Sequence, residues 1–201
     1  LAPFSSMFWD GGVSFDRPND YRPEVHDSDT LVMESISGEF LVRPLTNPEA
    51  LSESFFQFDG IETWGLLQRD RVFSNYEDIE AAYHLRPGGW VKPIEGFGSG
   101  SVYLLELPTQ TETEDNIAAM WIPKKTPVPL EPYWFSYELS VPTMNPSPNG
   151  WAQATRQGRA LDGRRQIVID WGGGRLTDLA PSENIEVVLT TSPENIVEEF
   201  T

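Results

Sequence analysis

The chain of 201 residues contains no cysteine and only two histidines. The lack of cysteine excludes disulfide bonds and thiolate chemistry, and a structural zinc site is not expected where nitrogen and sulfur ligands are so few. No apolar run approaches the roughly 20 residues that a membrane span needs. We therefore expect no cofactor and no metal, and we do not expect the chain to cross a membrane.

A secretory leader is also missing from the sequence. The first residues, Leu1-Ala2-Pro3-Phe4, lack the charged and apolar segments of a signal peptide. We expect the chain to be mature, processed or a fragment.

Basic residues are scarce, because 14 lysines and arginines stand against 31 acidic residues and leave a net charge of −17. Such a surface repels the phosphates of nucleic acids and of anionic lipids, which argues against a nucleic-acid partner. A neutral sugar meets no such repulsion. Seven tryptophans and eleven phenylalanines offer flat faces for sugar rings, although any single ring is more often part of a core.

Sixteen glycines and seventeen prolines favour an all-β protein with many turns. Short runs bounded by Gly, Pro, Asn or Asp predict strands. One of them, Ser101–Leu107, is almost wholly apolar, which predicts a strand buried on both faces. Pro44 cannot donate to a ladder and should end the strand before it. The predicted strands are Leu31–Ile36, Glu39–Arg43, Ser54–Phe58, Ser101–Leu107, Asn116–Ile122 and Phe135–Val141.

A single helix is predicted after Ser74. Ser74 and Glu77 fit a capping box, and Ile79, Ala82 and Tyr83 would form its apolar face. The helix should end at Pro87-Gly88-Gly89.

The composition changes after Val141. Residues 142–156 are predicted to form a proline-rich linker, which separates residues 1–141 from a second module at 157–201. Strand cores are expected at Gln166–Asp170 and Ile185–Leu189, with Gly172–Gly174 as a turn between them. Two strands are too few for a complete sandwich, which needs roughly seven, so the second module is expected to be partial.

Two acidic segments are candidates for a functional site. Tyr21–Asp29 packs five titratable side chains, or six with Tyr21, into nine residues outside any predicted strand, where functional groups are often found. Asp27 beside His26 suits a base or a sugar anchor, although a turn held by Asp27 and Asp29 explains the same pattern. Thr109–Asn116 contains three acids within four residues, whose repulsion raises the pKa of any that is buried, as a general acid requires. The alternative is a solvated loop.

A third candidate lies at the end of an apolar run. Arg69 and Arg71 follow Gly65–Gln68 and would point the same way if the strand continued. They could grip sugar hydroxyls or hold a carboxylate ionised, or they could form an ordinary surface ion pair.

Several motifs occur in one order along the chain and carry a family resemblance. They are Tyr21–Asp29, Gly38–Phe40 with Arg43–Leu45, Gly65–Arg69, Leu85–Pro87 with Trp90-Val91, Gly100–Val102 with Pro108-Thr109, and Asp115–Ile117 with Trp121. Together they resemble the periplasmic glucan biosynthesis protein G/D family, which acts on osmoregulated periplasmic glucans. The resemblance implies a periplasmic, all-β protein. Residues 1–141 would be the later part of a galactose-mutarotase-like β-sandwich, and residues 157–201 the start of an immunoglobulin-like domain.

The same resemblance implies an activity. Members of the family include endo-acting, anomer-inverting β-1,2-glucanases, whose general acid matches Asp115 and whose general base matches Asp27. Inverting enzymes usually hold these carboxyls about 6.5–9.5 Å apart, and this family is thought to use a longer proton relay. Residues expected to orient sugar or water are Tyr21, Arg22, His26, Arg69 and Trp90.

The expected partner is a β-glucan oligosaccharide or polysaccharide. Homodimer formation is a second partnership that the sequence leaves open. Two other functions stay open from the sequence. One is a non-catalytic glucan-binding or assembly factor on the same scaffold. The other is a β-rich interaction module that binds no glucan.

Overall fold

The computed structural model describes residues 1–12, 20–143 and 150–180, together with residues 183, 186, 188 and 190. Within these residues the regular structure consists of β-strands and three short 3-10 helices, at Phe73–Asn75, Tyr83–Leu85 and Gly174–Asp178. The strands are β1 (Phe4–Ser6), β2 (Phe8–Gly11), β3 (Glu24–His26), β4 (Thr30–Ser35), β5 (Phe40–Pro44), β6 (Ser52–Phe58), β7 (Ile61–Leu67), β8 (Gly89–Glu95), β9 (Gly100–Glu106), β10 (Ile117–Pro123), β11 (Ser136–Ser140), β12 (Trp151–Arg159) and β13 (Arg165–Gly172). The all-β prediction is confirmed, and the six strands predicted before residue 142 are all present.

Two antiparallel sheets form a sandwich. One has the strand order β1-β10-β9-β6 and the other β11-β8-β7-β4-β5. Alternate residues of each strand point to the same face, and those that face inward form one apolar core, in which Leu31, Met33 and Trp64 of one sheet pack with Leu104 and Trp121 of the other. Burial of these large side chains is the main force that holds the sheets together.

The five-stranded sheet also buries part of its outer face. Val32, Leu67 and Trp90 pack there, with Phe40 and Val42 against them. This arrangement accounts for the continuous apolar run of β4, because a strand covered on both faces has no reason to alternate.

Strand β9 differs from its prediction. Val102, Leu104 and Glu106 are fully buried, whereas Ser101, Tyr103 and Leu105 are partly exposed. The prediction of a strand buried on both faces is therefore wrong, since β9 presents only its inner face to the core. The buried residue at its end is a carboxylate rather than an apolar side chain.

The helix predicted after Ser74 is also wrong. Its place is taken by two 3-10 turns, separated by residues in which Glu77 and Ala82 have positive φ angles of 52° and 50°. Aspartate side chains compete for the backbone here, because Asp70 accepts the Val72 N–H at 2.8 Å and Asp78 accepts the Ala81 N–H at 2.7 Å. Such local bonds offer the chain an alternative to a helix.

Strands β12 and β13 form a separate antiparallel hairpin. The strand predicted at Gln166–Asp170 lies within β13, and β12 begins inside the predicted linker 142–156. The glycine run is followed by the third 3-10 helix. The strand expected at Ile185–Leu189 lies largely outside the described residues, and the domain division and the immunoglobulin-like character of the second module stay predictions.

Candidate functional site

Asp27 and Asp115, which are 88 residues apart in the sequence, both bond to the extended segment at the start of the chain. The Asp27 backbone N–H donates to the Met7 carbonyl at 2.9 Å, and the Ser5 hydroxyl donates to Asp115 Oδ2 at 2.6 Å. Alternate residues of an extended chain are roughly 7 Å apart, so Ser5 and Met7 anchor the two acids close to each other. Pairing of β1 with β10 and of β2 with β3 produces this arrangement.

The two carboxylates also interact electrostatically. Burial raises the pKa of Asp27, Arg86 and His26 lower it, and the negative charge of Asp115 raises it. Arg86 Nε lies 3.4 Å from Asp27 Oδ1, yet that oxygen accepts no hydrogen bond from the described residues. A carboxylate oxygen with a raised pKa and a free acceptor site can take up a proton.

Asp115 lies at the end of the acidic loop, whose three acids turn in different directions. Glu112 contacts Arg22 and Tyr83, Glu114 accepts from the Thr109 hydroxyl, and Asp115 accepts from Ser5. Asp115 is exposed, whereas the following Asn116 is buried. The acids therefore do not form a repelling cluster among themselves.

Arg22 and Tyr21, both predicted to orient sugar or water, have different surroundings. Tyr21 is 76% exposed, and its contact with sugar stays a prediction. The Arg22 guanidinium contacts the carboxylates of Asp20, Asp78 and Glu112 at 2.6–2.8 Å. Arg22 therefore reaches the loop of Asp115 through Glu112.

His26 is fully buried between two hydrogen-bond partners. Its Nδ1 lies 2.9 Å from Gln68 Oε1 and its Nε2 lies 2.9 Å from Glu24 Oε2, while the Phe8 ring stacks on the imidazole. Gln68 also donates to the His26 carbonyl at 2.9 Å. These contacts hold the imidazole in place. His26 precedes Asp27 in the chain and is one of the groups that lower the pKa of Asp27.

Arg69 pairs with an acid, but not with either of the two candidates. Its Nε donates to Asp29 Oδ1 at 3.1 Å, and its Nη1 donates to the Ala152 carbonyl of β12 at 2.9 Å. Strand β7 ends at Leu67, and Arg71 turns away to the carbonyls of His84 and Arg86. Arg69 thus joins the sandwich to the β12–β13 hairpin.

Trp90 lies on the outer face of the five-stranded sheet, where it is 6% exposed and packs with Val32 and Leu67. Both faces of its ring are therefore largely covered. Contact between Trp90 and sugar stays a prediction.

A cleft of about 1400 Å³ is lined by residues of both the sandwich and the β12–β13 hairpin. Its lining includes His26, Asp29, Asn47 and Arg69, with Arg156 and Arg165 from the hairpin on the other side. Asp27 and Asp115 do not line it, although Asp27 directly follows His26 in the chain. Most of the side chains that line the cleft are polar or charged, and such groups can hydrogen-bond to a hydroxyl-rich ligand.

Comparison with known families gives a match over the whole chain. A family model described as "Periplasmic glucan biosynthesis protein, MdoG" matches residues 1–201. The chain belongs to this family. It is 38% identical to the glucans biosynthesis protein G of Ralstonia nicotianae, over 98% of the chain and 42% of that protein. It is also 38% identical to the protein of the same name from Pseudomonas aeruginosa PAO1, over 98% of the chain and 41% of that protein. The chain thus spans about two fifths of the length of these relatives.

Membership of the MdoG family confirms the resemblance predicted from the ordered motifs. Within the described residues, no group of three or more histidine, aspartate or glutamate side chains is arranged to hold a metal ion. In the same part of the chain, no helix has the length and apolar character that crossing a bilayer would require.

Two residues of the site escaped the sequence reasoning. Arg86 reaches Asp27, and the Tyr83 ring lies 5.7 Å below the Arg86 guanidinium while its hydroxyl donates to Glu112 at 2.8 Å. The sequence pattern predicts Tyr83 on the apolar face of a helix, but two 3-10 turns take the place of that helix. The conspicuous Leu85-Arg86-Pro87 motif was the only signal, and it carried no information about a partner so distant in sequence.

Proposed function

We propose that the protein hydrolyses β-1,2-glucan in the periplasm during glucan formation, as an endo-acting enzyme that inverts the anomeric centre. Asp115 donates a proton toward the glycosidic oxygen, directly or through a relay, and Asp27 accepts a proton from the attacking water. Membership of a family described by periplasmic glucan biosynthesis supports the substrate class and the compartment.

The observation that carries the proposal is the approach of the two acids to one short segment, with charges near enough to interact. An inverting hydrolase needs two carboxylic groups of opposite role beside one bond. Arg86 and His26 favour the ionised form of Asp27 that a base needs, and its Oδ1 accepts no hydrogen bond from the described residues. Asp115 is exposed at a loop end where it can reach a leaving group.

Substrate binding is assigned to the polar cleft that His26 helps to line. The hairpin and the sandwich supply opposite walls of the cleft, and a chain of sugars lying in it would pass His26 on the way to Asp27. Hydrogen-bonding side chains in its lining, such as Gln110 and Gln153, match the hydroxyl groups of a glucan. We include Tyr21, an exposed aromatic residue, as a stacking surface for sugar.

The direct test is to incubate the full-length protein with linear β-1,2-glucan and to follow the release of reducing ends. We expect cleavage of β-1,2-glucan and none of a β-1,3-glucan of similar length. Proton NMR of the first products should show the α-anomer, because inversion converts a β-linkage to an α-hemiacetal. A β-anomer product would contradict the mechanism, and no cleavage would contradict the activity.

A non-catalytic glucan-binding or assembly factor is the second candidate. The observation that favours it is that the large cleft is lined without Asp27 and Asp115, so sugar could bind there without meeting either acid. This candidate predicts glucan affinity by calorimetry with no release of reducing ends.

A further inference from the structure

Arg22 is the centre of an ion cluster that joins three loops. Its guanidinium contacts Asp20 at 2.8 Å, Asp78 at 2.8 Å and Glu112 at 2.6 Å. Its side chain is only 13% exposed, and the hydrogen bond to Asp20 is the first cause that raises the Arg22 pKa. Arg22 is therefore a permanently charged residue that links loop segments which are not paired with each other in a sheet.

Glu112 is the member of this cluster that belongs to the acidic loop. Its Oε2 accepts both from Arg22 and from the Tyr83 hydroxyl at 2.8 Å. Charge-assisted hydrogen bonds of this kind are about twice as strong as neutral ones. The loop carrying Asp115 is thus held at Glu112 by two donors from other parts of the chain.

The far end of the same loop is held separately. Asn116 accepts from the Phe8 N–H at 2.8 Å and donates to the carbonyls of Phe8 and Leu107 at 3.0 and 2.9 Å. Asp115 lies between this anchor and Glu112. Its carboxylate also accepts from the Ser5 hydroxyl at 2.6 Å, so its position depends on Glu112, Asn116 and Ser5 together.

Tyr83 extends the cluster to the other acid. Its hydroxyl donates to Glu112, and its ring lies under Arg86, the cation that is 3.4 Å from Asp27. One chain of contacts, Arg22–Glu112–Tyr83–Arg86, therefore runs from the loop of Asp115 to Asp27. This chain of contacts links the loop that carries Asp115 to Asp27, and the separation of these two acids is critical for an inverting mechanism.

We propose that Arg22 is a positioning residue, which through Glu112 holds the loop 109–115 and so sets where Asp115 stands relative to Asp27. The link to turnover rests on the function proposed above. Arg22 does not contact sugar in this role, because three carboxylates occupy its guanidinium.

The loop itself supplies the first test, which needs no activity. In the full-length protein, Glu112→Ala removes a side chain that is 35% exposed, so the sandwich should remain folded, while Arg22→Gln removes the centre of the cluster. Amide hydrogen exchange over residues 109–115 should become about tenfold faster or more in both variants, since the loop loses one of its anchors. Exchange in β10 should not change. Unchanged exchange in the loop of both variants would overturn the proposal.

The second test measures turnover of linear β-1,2-glucan. A displaced acid lowers kcat more than it changes KM, so we expect a fall in kcat of about 10- to 100-fold with KM within about twofold. Glu112→Gln should be less impaired than Glu112→Ala, because its amide oxygen still accepts from Tyr83 and Arg22. The double variant Arg22→Gln, Glu112→Ala should be no worse than the poorer single variant.

Lys92→Gln is the matched control, since it removes one positive charge from an exposed pair with Glu62 and should leave kcat unchanged. A wild-type kcat in Arg22→Gln, or an Arg22→Gln variant whose only defect is a raised KM, would contradict the positioning role. Absence of cleavage by the wild-type protein would defeat the proposed function, and hydrogen exchange would still decide whether Arg22 holds the loop.

Discussion

Glu106 and Asp27 are both withdrawn from water, but their surroundings differ. Glu106 is fully buried, and its oxygens accept hydrogen bonds from Arg43, Thr46 and Ser52. Asp27 is partly buried, and its Oδ1 accepts no hydrogen bond from the described residues. A carboxylate whose acceptor sites are filled stabilises the fold, whereas one with an open acceptor site is available to exchange a proton.

Among the variants that compare Asp27 with the other acids it resembles, Asp27→Asn should have the largest effect on activity. Removal of a general base typically costs about 10²–10⁴-fold in rate, and we expect a loss of that size in kcat on β-1,2-glucan. Stability should not fall at neutral pH. Because the folded-state pKa of Asp27 is raised, the folded state binds more protons than the unfolded state between the two pKa values, so its ionised form opposes folding above them. A large loss of stability in urea unfolding would instead show that Asp27, like Glu106, stabilises the fold.

Glu106→Ala should show the opposite behaviour. Breaking a buried ion pair leaves Arg43 unpaired and should lower the free energy of unfolding by about 3 kcal/mol, as measured by urea titration. Glu49→Ala, which removes an exposed acid, is the control and should change stability by less than about 0.5 kcal/mol. If Glu106→Ala unfolds at the same urea concentration as the wild type, the hydrogen-bonded carboxylate of Glu106 does not stabilise the fold.

Asp29 extends the comparison within a single loop, because it lies two residues after Asp27. Unlike Asp27 Oδ1, its Oδ1 accepts hydrogen bonds from Arg69. Arg69→Met should cost about 2 kcal/mol, the value of hydrogen bonds to a charged group. It should also release the β12–β13 hairpin from the sandwich, so that chymotrypsin cleaves faster at Trp151 and Trp171. Arg164→Met, at the exposed pair with Asp162, should leave cleavage unchanged. Equal cleavage rates in the two variants would mean that Arg69 does not hold the hairpin.

Arg86→Met should give the smallest effect, a shift in the pH profile. Arg86 lowers the pKa of Asp27, so its removal should raise that pKa and move the acid limb of the kcat/KM profile to higher pH. Lys92→Met, remote from Asp27, should leave the limb in place. A limb that moves to lower pH would contradict the assignment of Asp27 as the base.

Local sequence patterns were sufficient to predict most of the sandwich. Runs such as Leu31–Ile36 carry their own strand signal, and β5 ends at Pro44, one residue later than predicted. The helix after Ser74 failed because Asp70 and Asp78 hydrogen-bond to nearby backbone N–H groups. Competition of this kind depends on side-chain geometry that a capping pattern does not contain.

The candidate site was only partly predictable, for a different reason. The family resemblance selected Asp27 and Asp115, but the partners of Arg22, His26 and Arg69 lie up to 90 residues away and follow from how the sheets and loops pack in three dimensions. The sequence around an arginine in a loop does not show whether its guanidinium binds sugar or three carboxylates. Only the arrangement in space shows that acids of the chain itself occupy Arg22.

The central claim is that Asp115 and Asp27 act together on a glucan, and Asp115→Asn tests it most directly. The measurement is the rate of reducing-end release from linear β-1,2-glucan by the full-length variant, with binding followed by calorimetry. The account predicts that cleavage is abolished while the glucan still binds with an affinity near that of the wild type. Cleavage by Asp115→Asn at the wild-type rate would contradict it.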